Sequence, residues 1–474
     1  MWRLPVRYNR AEQELIGMTN TKDTLAPVAD PRPPRDLGNG LVLRWSTPDD
    51  VERIAELSSH VFRDKIDEPP NTRNAAWTRD LGSGRHPLTT VDQGVFVEDT
   101  ATGKVVASMW LIPTSWTFGG IRFGVGRPES VVSHPDYRRR GLVRALFEAF
   151  HARSAEAGEL TQAITGIPYY YRQFGYDMAL ELGGGRLVQF DDIPPLKEGE
   201  TEPYRLQAAT VGDVPFMFEL YERERRRSLV SSDVPEAYWR WMIDGASVGS
   251  GEGWTPLLIL DAAGERCGFV LPFKRRWGKT LAIQHIALRD GVPWPAATRS
   301  ILRALRDYAR TVPMGRGEPV EPSRLNFQMG TAHPAYVMLG EELAPRRDRP
   351  YAWYVRVPDL PGFVRHVAPV LEDRLSHSPL ASYTGELRLD FYRGGLRLVF
   401  ADGRLTTAED WQRPVFSAEP SAGFPPLLFL QLLFGRRSRT ELEAVLPDVW
   451  ASEEGTMVLD ALFPPQSSLV LALD

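Results

Sequence analysis

The run Glu129-Ser130-Val131-Val132-Ser133-His134-Pro135-Asp136-Tyr137-Arg138-Arg139-Arg140-Gly141-Leu142-Val143-Arg144 gathers the residue types that hold an anion. A strand ends, a turn rich in arginine and glycine follows, and a helix starts at once. A helix N-terminus presents unsatisfied backbone N–H groups, and its dipole favours negative charge. Gly141 has no Cβ to keep the backbone away from a phosphate, and the arginines add charge-assisted hydrogen bonds. The natural occupant is a ligand carrying a pyrophosphate. Neither Gly-x-x-x-x-Gly-Lys nor Gly-x-Gly-x-x-Gly is present here, so the turn is neither a P-loop nor a Rossmann turn. His134 reads as a turn residue before Pro135. Cys267 lies in an apolar strand and reads as inert core.

The elements that must position this turn follow from periodicity. Leu41–Trp45 reads as a strand, and Ser46-Thr47-Pro48-Asp49-Asp50 opens a helix with a cap residue, a proline and early acids. Strands are expected at 94–99, 104–113 and 121–133. A helix is expected from Leu142 to Ala157, with Leu142, Leu146, Ala149 and Phe150 on one buried face. After the glycines 183–185 and a proline-rich link the plan restarts. Strands are expected at 204–209, 257–260, 267–273 and 281–288, and helices at 211–227 and 295–310. Tyr336-x-x-x-Gly340 echoes Tyr171-x-x-x-Gly175. The run from Glu222 to Arg227 reads as a solvated helix face with i,i+4 ion pairs. From residue 357 a helix over 362–375, strands at 387–392 and 396–401 and an apolar helix at 427–434 describe a smaller α+β module. The fold class is mixed α+β. The expected division is a mobile extension over 1–40, related modules over 41–200 and 201–356, and a third over 357–474.

Composition bounds the function. The 474 residues are 43% hydrophobic and 25% charged, ordinary for a globular chain of several domains. A net charge of −5 supplies no global field for nucleic acid, and a single cysteine excludes a disulfide framework and any multi-cysteine zinc site. No stretch approaches a membrane span, and the first residues lack the apolar segment of a secretory signal, so a cytoplasmic, metal-independent protein is the expectation. Met1 and Met18 are both candidate starts.

The turn and the later tyrosine together resemble the GNAT acyltransferase superfamily. In that family an Arg/Gln-x-x-Gly-x-Gly/Ala turn cradles the pyrophosphate of coenzyme A, and a Tyr-x-x-x-Gly-Phe/Tyr segment brings a tyrosine near the thiol. Arg138-x-x-Gly141-x-Val143 matches with an aliphatic residue at the last position, a departure shared with the enhanced-intracellular-survival (Eis) type. That type has two tandem GNAT domains and a C-terminal domain resembling a sterol carrier protein. The resemblance implies acetyl-CoA as cosubstrate, no metal, a primary amine on a small molecule or an exposed lysine as acceptor, and a homo-oligomer, a hexamer in that family's pattern.

Carried across residue by residue, the resemblance assigns Val131, Val132 and Ser133 to the strand segment that pairs with pantetheine. Arg139, Arg140, Gly141, Leu142, Val143 and Arg144 fall on the pyrophosphate turn. Gly166 and Ile167 flank the acetyl group, Tyr171 falls on the general acid, and Asp474 on the carboxylate base. The chemistry explains the set. An amine of pKa about 10 must lose a proton before it attacks a thioester. A backbone N–H can stabilise the oxyanion, and a phenol can protonate the leaving thiolate. Glu129 is a second candidate base. Two rival readings are a non-catalytic acyl-CoA sensor and a lipid-binding protein acting through its C-terminal module. The second module has no Arg-x-x-Gly before its helix, and Pro293 and Pro295 each remove a backbone donor, so it is expected not to bind coenzyme A.

Overall fold

The computed structural model describes residues 33–63, 67–251, 253–315, 318–413 and 419–471. The expected mobile extension therefore lies largely outside the described residues. Its last part is corrected: β1 (Arg35–Gly38) pairs antiparallel with β2 (Leu41–Trp45) as a hairpin. Asn39 and Gly40, both at positive φ, make the reversal.

The first sheet continues through β3 (Gly94–Asp99), β4 (Lys104–Phe118), β5 (Ile121–Ser133), β6 (Thr161–Ile164) and β7 (Asp177–Leu182). Strand β4 runs past Pro113, where the sequence reading ended it. Pro113 falls where β4 has left β3 at Trp110 and has not yet met a later strand at Trp116, so no strand lies along one edge there. Helices α1 (Val51–Val61), α2 (Thr72–Gly82) and α3 (Leu142–Glu156) pack around this sheet. Helix α2 starts on Asn71, whose side chain accepts the N–H groups of Arg73 and Asn74.

The strand pairing does not divide at residue 200. Strand β8 (Gly185–Gln189) follows β7 directly yet enters a second sheet. There it lies between β15 (Arg346–Asp348) and β14 (Arg324–Phe327), ahead of β13 (Thr280–Leu288), β12 (Arg266–Pro272), β11 (Leu257–Asp261) and β9 (Tyr204–Ala208). In return β16 (Tyr351–Arg356) leaves the second half and inserts between β6 and β7. The two sheets exchange strands, an arrangement that linear boundaries cannot express. Helix α4 (Val214–Arg225), the short α5 (Glu236–Arg240), α6 (Trp294–Ala309) and α7 (Ala335–Leu343) belong to this half, and β10 (Val230–Ser232) extends the first sheet beside β4.

Each sheet contains one parallel pair that parts midway. Strands β5 and β6 are paired only at Val125–Thr161 and Gly126–Gln162, whereas β13 and β14 are paired from Thr280–Arg324 to Ile283–Phe327. Beyond those points the strands diverge and a cleft opens between them.

The last module is a five-stranded sheet over residues 385–451 with helices on it. The single helix expected over 362–375 is two, Leu360–His366 and Ala368–Ser376, because Pro369 sits in the first turn of the second. Leu428, Phe429, Leu430, Leu432, Leu433 and Phe434 are buried in one continuous core with Phe118, Phe123 and Trp353 of the first sheet. Residues 467–471 then run beside β10, with Leu469 donating to Val230 O at 2.8 Å and accepting from Ser232 N at 3.1 Å. No helix among the described residues is long and apolar enough to cross a membrane.

Candidate active site

The cleft between the diverging β5 and β6 has a volume of about 640 Å³ and opens over the N-terminus of α3. It brings together Val131, Val132, Ser133, Arg139, Gly141, Leu142, Val143, Arg144, Ile167 and Tyr171, residues assigned to one site from the sequence. Arg140 stands outside this lining. Its guanidinium lies 4.7 Å from the Tyr137 ring and donates to Asp136 O at 3.1 Å. Gly166 is adjacent: a Cβ there would stand 3.6 Å from the Tyr171 hydroxyl oxygen. Asp474 lies outside the described residues, and the described tail ends with Leu471 donating its N–H to Ser232 Oγ at 2.9 Å.

Local geometry explains why the turn forms. Gly141 is the N-cap of α3 in the left-handed region, φ 78°, which brings the chain sharply into the helix and leaves the N–H groups of the first turn facing the cleft. Arg139 also has positive φ, 62°. His134 caps the short 3₁₀ turn Pro135–Tyr137 by accepting the Asp136 N–H, in line with its reading as a turn residue. Arg144 lies 5.5 Å from the ring of Phe174 and 3.4 Å from Gln173 Oε1. Positive charge is thus held around a helix N-terminus with a wall of backbone on one side. That arrangement fits a pyrophosphate.

Strand β5 carries a bulge. Glu129 faces Trp110 but Val132 faces Ser108, so β5 has one residue more than β4 across this stretch. Ser130 takes up the distortion at φ 49°. The alternation that would put Glu129 on one face with Val131 and Ser133 is interrupted here. Glu129 Oε1 accepts the Ser130 N–H at 3.0 Å, and Oε2 lies 3.6 Å from Arg127.

Tyr171 sits on the 3₁₀ turn Tyr170–Phe174, closed by Gly175 at φ 86°. It is buried, and burial raises its phenol well above the usual tyrosine value, with the Glu129 carboxylate adding to the effect. The phenol therefore stays protonated throughout the physiological range and can act as a donor. The echoing Tyr336 is used differently. Its hydroxyl donates to Phe327 O at 3.2 Å and accepts from Met329 N at 3.0 Å, which ties it into the core.

Sequence reasoning missed the support that β16 gives this site. Tyr351 donates its hydroxyl to Gly166 O at 3.2 Å, and Tyr354 accepts the N–H of Tyr169. Two tyrosines three residues apart on an exchanged strand thus fix the loop from Gly166 to Tyr171. Their spacing carries no local signal, because the pairing partner is more than 180 residues away.

The corresponding opening in the second sheet is a cavity of about 190 Å³ lined by Glu224, Arg227, His285, Thr331, His333 and Ser468, among others. The helix beside it, α6, begins at Trp294 after Pro293, with no arginine turn. The expected solvated face over Glu222–Arg227 is corrected at Glu224, which turns inward to lie 2.9 Å from His285 Nε2. Arg225 does pair with Glu222, three residues back, and with Asp233 at 3.2 Å. Cys267 is buried in the second core, where burial pushes its thiol up.

Residues 43–179 match the family model described as an acetyltransferase (GNAT) domain. Among solved structures, the chain is similar to a GCN5-related N-acetyltransferase from Anabaena variabilis, with 14% identity and a TM-score of 0.61. A GCN5-related N-acetyltransferase from Kribbella flavida gives 19% identity and a TM-score of 0.58. Eis1 from Mycobacterium abscessus gives 15% and 0.53. Each alignment covers 91% of this chain and 99% of the other. No curated protein sequence matches the chain. Residues 43–179, which hold the cleft, the arginine turn and Tyr171, thus match the GNAT acetyltransferase domain model, and the fold of the chain as a whole is similar to those bacterial structures.

Proposed function

We propose that the chain transfers an acetyl group from acetyl-CoA directly to a primary amine of a small molecule or an exposed lysine. The observation that carries this reading is the single cleft in which the arginine-bearing N-terminus of α3 and the hydroxyl of Tyr171 meet along the free edge of β5. Arg139, Arg144 and the first N–H groups of α3 hold the pyrophosphate, and the Val131–Ser133 backbone pairs with pantetheine. Tyr171 donates its proton to the sulfur as the thioester bond breaks. The attacking amine gives its proton to a carboxylate, that of Asp474 or Glu129, directly or through water.

The second sheet, with its own parting parallel pair, is read as a second GNAT-type fold that has lost coenzyme A binding and walls the acceptor pocket. The module from residue 357 is read as sterol-carrier-like, with its apolar helix serving the core. The assembly is read as a homo-oligomer. The decisive experiment incubates the full chain with acetyl-CoA and a panel of polyamines, aminoglycosides and lysine peptides and follows thiol release. Coenzyme A binding without turnover on any amine would favour a sensor, and co-purified lipid would favour a lipid carrier.

A further inference from the structure

Glu224, His285 and His333 come from three separate elements: the last turn of α4, strand β13 beyond its parting from β14, and the segment leading into α7. One ligand atom from each lies within 4.8 Å of the others. We propose that these three residues form a binding site for a divalent transition-metal ion of the Zn²⁺ type. Two imidazoles and a carboxylate are the donor set of open zinc sites, whereas Mg²⁺ and Ca²⁺ take oxygen ligands alone.

The first argument is the state of His285. It is 1% exposed, and the Glu224 carboxylate is the one polar group its ring approaches to hydrogen-bond distance among the described residues. Nε2 lies 2.9 Å from Glu224 Oε2, and Nδ1 has no hydrogen-bond partner among those residues. A carboxylate oxygen and an imidazole nitrogen this close in a buried site, with the second imidazole beside them, are placed as ligands of one ion are placed. Tetrahedral coordination at about 2.0–2.2 Å sets neighbouring ligand atoms roughly 3.4 Å apart, inside the 4.8 Å within which these three atoms already lie.

The second argument is the support around His333. Its Nε2–H donates to Ile286 O at 3.0 Å, which fixes the tautomer and leaves the lone pair on Nδ1. A backbone carbonyl in that role is the usual partner behind a metal-bound histidine. Nδ1 at present accepts the Ala335 N–H at 3.2 Å, a long contact at the first residue of a helix, where the N–H has no intrahelical acceptor.

All three residues line the 190 Å³ cavity, so the fourth coordination position opens onto it, beside Arg227, Thr331 and Ser468. Water or a small anionic group completes the shell. The site lies where the second sheet parts, the place the first sheet gives to Tyr171, and it does not depend on the acetyltransferase reading.

The test uses the full chain, stripped with a chelator and titrated with Co²⁺ and then Zn²⁺. The wild type should bind one equivalent, show the strong visible bands of four- or five-coordinate Co²⁺ and lose them as Zn²⁺ displaces it. Glu224→Gln and His333→Gln should each weaken Zn²⁺ binding by roughly 100-fold or more while acetyl-CoA affinity stays unchanged. A weak six-coordinate Co²⁺ spectrum in the wild type overturns the proposal, as does Zn²⁺ binding that Glu224→Gln leaves intact. The wild-type cobalt spectrum decides by itself if a variant fails to fold.

Discussion

The ring of Tyr354 stands 5.4 Å from that of Tyr171, at an interplanar angle of 67°. Tyr354 is fully buried and belongs to the exchanged strand β16, so a residue from the far half of the chain walls the proposed proton donor. Tyr354→Ala should cost about 3–5 kcal/mol, the usual penalty for truncating a buried aromatic. Tyr354→Phe keeps the ring and removes the acceptor for the Tyr169 N–H together with a 3.4 Å contact to the Tyr351 hydroxyl, so it should cost about 1–3 kcal/mol. Denaturant midpoints measure both. Turnover should fall more in the alanine variant than its stability at the assay temperature accounts for.

Tyr171→Phe removes the hydroxyl and preserves the packing against Phe147 and Tyr354. Turnover should drop by about 10²–10⁴-fold, the range for a positioned general acid, with acetyl-CoA affinity within about twofold of wild type. Steady-state kinetics alongside calorimetric binding separates the two. Equal turnover would mean that the thiolate leaves without help from this residue.

The positive turn should act through charge and through backbone shape. Arg139→Gln with Arg144→Gln should weaken acetyl-CoA binding by about 10–100-fold and flatten its salt dependence. Gly141→Ala meets no neighbour within 4 Å, so its effect is conformational. Forcing a side chain into the left-handed region at φ 78° costs about 1–2 kcal/mol and should raise the acetyl-CoA Kd as the first turn of α3 shifts. Both sets are read by titration calorimetry at several salt concentrations.

How far the sequence discloses this site depends on the range of the interaction. The strand, turn and helix proposed to hold the anion were legible because their parts are contiguous: Ser133 ends β5, and α3 starts at Leu142, as periodicity and Gly141 predict. The turn that holds Tyr171 was legible through its offset to Gly175. The strand exchange was not, because Gly185–Gln189 and Tyr351–Arg356 are ordinary short strands whose partners are chosen by shape and burial far away. Glu224 was misread for the same reason. Its helix neighbours are charged and suggest solvent, whereas His285 and His333, which turn it inward, reach it only through the tertiary fold.

Glu159 gives a pH signature. Burial lifts its carboxyl to about 7, against the Ser154 hydrogen bond, which works the other way. The folded state therefore holds a proton that the unfolded chain releases near pH 4.5. The native state is favoured most below that pH, and up to about 3 kcal/mol is lost as pH rises towards and through 7. His86, lowered to about 4, and His151, lowered to about 3, act in the opposite sense. Their stability is present above pH 6.5 and is lost as pH falls. Glu159→Gln should raise Tm at pH 8 relative to wild type and leave it nearly unchanged at pH 5, as calorimetric scans across pH would record.

The exchange of β8 and β16 also orders events during synthesis. When the ribosome has made only the residues up to β7, the first sheet has β6 and β7 but not the strand that separates them. That gap cannot be filled until Arg356 has been made, whereas β8, translated directly after β7, pairs only in the other sheet. The bonds from Tyr351 and Tyr354 that hold the loop carrying Tyr171 can form only after β16 is translated. Closure over so long a stretch of chain is entropically slow, and it leaves strand edges exposed to misassembly meanwhile. The setting of the proposed proton donor, although encoded near residue 171, is thus completed late, when the nascent chain has passed three quarters of its length.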